Sequence, residues 1–208
     1  MPVTRISKAE ITEIALKAFL DHGIQPITIK QLASWNGVST KTIHKLFVDK
    51  PGLVRSCLEL HYSRFFAELQ ELAAKAGDEI ESVINILNRI VKVEFEVNPR
   101  FYEDLNKFYP ELQTEIGTAQ NGMPDMMMDI IEKGKRNGLF LPDIEAEVCI
   151  IALQRLYQDI TRAKIYADLA LSGPQLVENS VLLYFRGMCT PLGVQKMQVY
   201  GKSATRQH

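Results

Sequence analysis

The chain has little that would tie it to a membrane, an oxidising compartment or a metal. No apolar run is long enough to span a bilayer, and the first residues lack the apolar core of an export leader, so a cytoplasmic location is expected. Only three cysteines occur in 208 residues, Cys57, Cys149 and Cys189. Odd in number, far apart and without ligand spacing, they read as reduced core residues, and no metal site is expected. No glycine-rich phosphate loop and no carboxylate pair at defined spacing stands out, so neither a cofactor nor catalysis is indicated. Cys57 has His61 four residues on merely as a helical neighbour. A small all-α enzyme is therefore the weaker alternative. Repeats and low-complexity segments are absent from the pattern.

Net charge is also nearly missing, at −1, but its distribution is uneven. Up to Arg55 there are eight bases against four acids, and the rest of the chain carries 16 bases and 21 acids. A positive head on a negative body suggests that the head alone meets a polyanion, although many solvated faces are as charged. Hydrophobic residues at 46% and charged residues at 24% fit a globular protein large enough for a sizeable core.

The strongest pattern is the stretch from Thr28 to Lys50, which reads as two short helices joined by a tight turn. Thr28 and Gln31 have the spacing of a capping box. Ile29, Leu32 and Ala33 share one face, and the small Ala33 lets a second helix approach closely. Asn36 and Gly37 tolerate the left-handed backbone of a sharp turn, and Val38 plugs the angle. Ser39 can cap the second helix, whose Ile43, Leu46 and Phe47 return to the core. Thr40, Lys41, Thr42, His44 and Lys45 are then left outward. Hydroxyls, an imidazole and ammonium groups on a short helix suit a major groove, where base edges differ in donors and acceptors. Two ordinary packed helices with a solvated face are the bland alternative.

The flanking residues sharpen this reading. Ile11, Ala15, Phe19, Gly23, Thr28, Leu32, Ala33, Gly37, Val38, Ser39, Thr42, Ile43, Phe47, Lys50 and Leu53 resemble, in order and spacing, the amino-terminal signature of the TetR family of bacterial transcriptional regulators. The resemblance implies an all-α fold, with a three-helix helix-turn-helix domain followed by a helical ligand-binding and dimerisation domain. The expected DNA contacts are Ser39 and the outward Thr40, Lys41, Thr42, His44 and Lys45, and the resemblance implies Lys30 and Lys50 near the backbone. Asn36, Lys41, His44 and Leu46 depart from the family pattern. Lys41 and Lys45, four apart on one face, are positioned to supply phosphate contacts.

Before this stretch, Met1 to Ile6 reads as a flexible arm carrying Arg5, and Ser7 with Glu10 caps a first helix ending near Gly23. After it, Asp49 and Pro51 start a helix of about 25 residues, too long for the head to cover at about 1.5 Å per residue. Further helices are expected over 78–97, 100–108, to about 120, and 125–136. A glycine corner at Gly134 and Gly138 precedes two long helices, 143–170 and 174–188. The expected domains are 1–50 for DNA binding, 51–195 for effector binding and dimerisation, and 196–208 as a weakly structured tail.

The last two helices carry apolar stripes wider than one core needs, which reads equally as interior packing or as a four-helix dimer seam through Val148, Ala152, Leu156, Val177, Val181, Tyr184 and Met188. The resemblance, and the need of a helix-turn-helix protein to read two half-sites, favour a homodimer. In the family the body encloses an effector cavity. Here the candidates to line it are His61, Phe65, Phe101, Tyr102, Tyr109, Met126, Met127, Tyr157 and Gln158, with Glu94 or Asp159 as polar anchors. Aromatics and methionines at helical spacing are more often core, but such side chains would suit an apolar or aromatic small-molecule effector. The expectation is a regulator of a near-palindromic double-stranded DNA operator, most often a repressor, released by its effector. A helix-turn-helix dimer without any effector is the alternative.

Overall fold

The helices that follow Ser7, Thr28, Ser39 and Asp49 start where the sequence offers a side chain to take the free backbone donors of the first turn. The computed structural model describes residues 6–119, 122–162, 166 and 168–204, and for 94–95, 117–119, 161–162 and 201–204 the backbone alone. The expected arm at 1–5 lies outside these residues. Its helices are α1 (Lys8–His22), α2 (Ile29–Trp35), α3 (Thr40–Phe47), α4 (Lys50–Lys75), α5 (Glu79–Glu96), α6 (Pro99–Phe108), α7 (Pro110–Ala119), α8 (Met123–Arg136), α9 (Ala146–Arg162), α10 (Gly173–Val177), α11 (Leu183–Gly187) and α12 (Pro191–Ala204). A π-helical turn, Glu178–Leu182, joins α10 to α11. No strand occurs among the described residues, only a single antiparallel bridge between Phe140 and Cys189.

The chain divides into two compact units, Met1–Ala67 with Phe95–Asn121, and Glu68–Glu94 with Gly122–His208. In the first, Ser7 and Glu10 form the capping box of α1, and Ile11, Ala15 and Phe19 are fully buried. Burial of such side chains is what holds these short helices together, at about 1.5–3 kcal/mol for each large apolar group. Helix α4 is fastened to α1 by a bidentate ion pair between Arg64 and Glu13, and to α7 by Arg55 and Glu115, with contacts of 2.7 and 2.9 Å. Helix α6 starts at Asn98, whose side-chain oxygen accepts from Arg100 N–H, with Pro99 in its first turn. The same Asn98 donates through its backbone N–H to Leu20 O and through Nδ2 to Asp21 O, both at 3.0 Å, so α6 is docked on the end of α1.

In the second unit, Asp78 caps α5 by accepting from Ile80 and Glu81 N–H at 3.0 Å. The glycine corner is confirmed and its cause is steric. A Cβ on Gly134 would stand 2.4 Å from the Phe140 ring, and Gly138 takes φ +69°. Buried Glu79 sits over this corner, accepting from Lys133 at 2.9 Å and from Asn137 at 3.1 Å. Burial alone would raise its carboxyl, but these donors hold it below the usual carboxylate range. The three cysteines are free and buried. Burial pushes the Cys57 thiol up, and the Cys189 thiol up to about 12.

Three expectations differ from the structure. The stretch expected as a tail from 196 is helical through Ala204, because Thr190 caps α12 at Gly193 N–H and the helix is clasped to Asp78 by Lys196 at 2.6 Å and Tyr200 at 2.7 Å. The helix expected from Asp143 begins at Ala146 and ends at Arg162; 163–165 and 167 lie outside the described residues. The helix expected over 174–188 is interrupted by the π turn. Val177, Val181 and Phe185 repeat every four residues, a spacing that drifts around an ideal α-helix, and the wider turn with i→i+5 bonds absorbs the drift and keeps all three buried.

Candidate nucleic-acid interface and effector region

The two short helices of the head meet as their sequence requires. Thr28 N–H donates to Gln31 Oε1 at 2.8 Å and Gln31 N–H to Thr28 Oγ1 at 3.2 Å, closing the capping box. Leu32 and Ala33 are buried, Ala33 at 4% exposure. Gly37 alone takes the left-handed turn, at φ +63°, while Asn36 stays at φ −92° and bonds back to Leu32 O through Nδ2. Val38 N–H donates to Ala33 O at 3.0 Å, and Ser39 Oγ accepts from Thr42 N–H at 3.1 Å to start α3.

Helix α3 then turns Ile43 and Phe47 inward and leaves Ser39, Thr40, Lys41, His44 and Lys45 exposed, with Thr42 half-buried. Thr42 Oγ1 and Ser39 Oγ share a hydrogen bond of 2.9 Å. His44 Nδ1 lies 2.9 Å from Val48 O; a carbonyl only accepts, so Nδ1 carries the proton and orients the ring. Val48 has φ +68° and ψ −60°, and Asp49 N–H bonds to Phe47 O at 2.8 Å across it, which makes a strained γ-turn on a β-branched residue. Asp49 Oδ1 accepts from Gly52 N–H at 2.8 Å, so α4 leaves the corner in a fixed direction. Lys30 is exposed on α2, and so is Trp35, at 51%. The sequence had not singled out Trp35.

No protein-family model matches the chain. Among curated proteins it is 22% identical, over 88% of its length and 98% of the other's, to the uncharacterised HTH-type transcriptional regulator YvkB of Bacillus subtilis. It is also 22% identical, over 67% of its length and 70% of the other's, to the HTH-type transcriptional repressor KstR2 of Mycolicibacterium smegmatis. Its fold matches a TetR/AcrR-family regulator from Thermobifida fusca with a TM-score of 0.68, at 18% identity, over 86% of this chain and 97% of that one. The fold is that of the TetR-family transcriptional regulators. A second match, a putative transcriptional regulator from Saccharomonospora viridis in complex with choline, has a TM-score of 0.69 at 16% identity, over 88% of this chain and 97% of that one.

Within this fold the eight expected DNA-contacting residues divide. Lys30, Ser39, Thr40, Lys41, His44 and Lys45 are on the surface of α2 and α3, and Thr42 is at its edge. Lys50 is half-buried, and its Nζ donates to Gln25 O at 3.3 Å. Burial lowers its ammonium pKa, opposed by the nearby Asp104 carboxylate.

The expected effector residues fall into both units. In the first, His61 lies parallel to Phe65, with centroids 6.4 Å apart, and edge-on to Phe101 at 6.1 Å; Phe101 in turn meets Tyr102 edge-on at 5.3 Å. Tyr62, at 5.5 Å from His61, joins this cluster. Phe101 is fully buried core, whereas His61, Tyr62, Phe65 and Tyr102 are half-buried. Tyr109 stands apart, its hydroxyl 3.5 Å from Gln25 Nε2. In the second unit Met127 is buried, Met126, Tyr157 and Gln158 are half-buried, and Asp159 is exposed. The Glu94 side chain lies outside the described residues.

Of the expected seam residues, Val148 is 61% exposed and Ala152, Leu156 and Tyr184 are half-buried. Val177, Val181 and Met188 are buried inside their own unit, with Val181 at 0% exposure, because the π turn keeps their face inward. On α9 and α11 the large apolar residues left exposed are Val148, Ile151 and Leu183; Leu169, Leu171, Leu192 and Val199 are exposed elsewhere in the same unit. The sequence reading missed one polar group, Asp104. It shares a face with Phe101 and Leu105 at i, i+3 and i+4 spacing, and an acid on a core stripe was the available signal.

Proposed function

We propose that the chain is a homodimeric regulator that reads a near-palindromic operator with two copies of α3 and represses until a small molecule binds the helical body. The observation that carries this reading is the capped α2–turn–α3 pair, with Thr40, Lys41, His44 and Lys45 exposed on one short helix whose other face is core. Lys30, Lys41 and Lys45 supply phosphate contacts, and Thr40, Thr42 and His44 face the bases. Residues 1–50 act as the reading domain and 51–195 as the effector and dimerisation domain. Val148, Ile151 and Leu183 form the apolar part of the seam. The KstR2 relative is named a repressor, which supports the sign of regulation.

The half-buried cluster of His61, Tyr62, Phe65 and Tyr102 is the effector region we favour. Aromatic faces take up an apolar or aromatic ligand, and they also attract an organic cation. The choline complex of the Saccharomonospora viridis protein supports testing that second class. The effector need only bind better to the conformation whose reading helices are wrongly spaced for DNA. The complete burial of Phe101 favours the alternative of a dimer with no effector, in which this cluster is simply core.

Selection of bound duplexes from a random-sequence DNA pool tests the reading. A recovered inverted repeat with half-sites about 10 bp apart is expected. Thr42→Ala and His44→Ala should then weaken that duplex more than unrelated DNA, by about 1–3 kcal/mol per base contact. Recovery of unselected sequence, with equal loss on both DNAs, would remove sequence reading from α3.

A further inference from the structure

Lys50 begins α4, where the family resemblance implies a place near a DNA phosphate, yet its ammonium group bonds inside the protein. Gln25 lies in the short loop between α1 and α2, flanked by Ile24 and Ile27 at 0% and 4% exposure. Both of its backbone polar groups are taken by side chains distant in sequence. Its carbonyl accepts from Lys50 Nζ at 3.3 Å, and its N–H donates to Asp104 Oδ2 at 2.7 Å. Asp104 is only 6% exposed, and Lys50 itself is half-buried. A buried carboxylate needs a compensating cation, and the two charges act on each other electrostatically. Helix α6 therefore grips both sides of Gly23, with Asn98 on Leu20 and Asp21 before it and Asp104 on Gln25 after it. Gly23 itself has no room for a side chain, since a Cβ would stand 2.7 Å from Arg100 Cγ.

We propose that Lys50 is a positioning residue and not a phosphate contact: with Asp104 it clamps Gln25, fixing where α2 starts and hence the aim of α3. The ammonium that holds the Gln25 carbonyl does not swing out to a phosphate without loss. Moving it to a phosphate would leave a buried carboxylate without its cation and the Gln25 carbonyl without its donor. The clamp rests on the DNA-reading function for its purpose, but not for its existence.

Two measurements on the full chain test it. The first is hydrogen exchange of the free protein across residues 24–32, which needs no DNA. Lys50→Ala should speed exchange there at least tenfold and leave α9 unchanged, and Lys50→Arg should restore most of the protection. Lys50→Ala combined with Asp104→Asn should be better protected than Lys50→Ala alone, because no buried carboxylate is left uncompensated. Unchanged exchange in Lys50→Ala, or a double variant worse than the single one, overturns the clamp. The second is affinity for a labelled duplex as a function of salt. Lys45→Ala should flatten the slope of log affinity against log salt by about two units per dimer, since each lost phosphate contact releases about 0.9 fewer counterions. Lys50→Ala should lower affinity with the slope unchanged. An equal flattening in Lys50→Ala makes it a phosphate contact and overturns the proposal. Failure of the parent protein to bind any duplex sinks the DNA-reading function, while the exchange result still judges the clamp.

Discussion

Replacing Val48 by glycine should make the head more stable, although glycine ordinarily destabilises ordered chain. Val48 is the central residue of the γ-turn at φ +68°, ψ −60°, a backbone state that costs a β-branched residue on the order of 1–3 kcal/mol. Its side chain is 77% exposed, so little burial is lost on removing it. Glycine adopts positive φ without penalty, and its extra freedom in the unfolded chain costs back roughly 0.5–1 kcal/mol. The net expectation is stabilisation by about 0.5–2 kcal/mol, without disturbing the backbone bond from Asp49 N–H to Phe47 O or the side-chain bond from His44 Nδ1 to Val48 O. Chemical denaturation read by hydrogen exchange of the α3 amides measures this locally, and Val48→Ala should fall between parent and glycine variant. A glycine variant less stable than the parent, with the alanine variant neutral, would show that the turn carries no strain and that the reasoning is wrong.

Other outcomes follow from close contacts and charge. Gly52→Ala should destabilise by about 1–3 kcal/mol in denaturant titration, because the new Cβ would stand 2.1 Å from the backbone oxygen of Phe47, which cannot move without shifting α3. Ile151→Glu or Leu183→Glu should give folded monomers by sedimentation, with far-UV spectra like the parent, since both residues are more than half exposed in one chain; an unchanged mass would place the seam elsewhere. Glu79 is held below its ordinary range in the folded chain, so its contribution is complete above the unfolded carboxylate pKa and is lost as pH falls through the lower folded value. The melting temperature should therefore decline below about pH 4.5, and less steeply in Glu79→Gln; parallel curves would show that Lys133 and Asn137 add nothing.

What could be read from the sequence was what depends on neighbours a few residues apart. Ser7 with Glu10 and Thr28 with Gln31 are capping boxes in both the pattern and the structure, because each needs only one helical turn to complete itself. The glycine corner was legible as punctuation, but its cause, the Phe140 ring against Gly134, needed the fold. For Val177 and Val181 the apolar pattern reads equally as interior or seam, and only the fold, with the π turn beside them, shows both buried in their own unit. The clamp on Gln25 is hidden in the same way, since Lys50 and Asp104 belong to other helices and no local spacing joins them to it. Likewise α12 looked like a tail, because its anchor, Asp78, is far away along the chain.

The three buried thiols make the molecule easy to instrument. A maleimide attacks the thiolate, and Cys57 and Cys189 combine burial with raised pKa, while Cys149 is enclosed. One cysteine added at an exposed site such as Thr40 would then be the reactive handle on each subunit, with the native sulfurs left in place. In a homodimer the two labels sit at the start of the two reading helices. The distance between them, measured by dipolar coupling or energy transfer, would report directly whether an added compound changes the spacing that DNA demands.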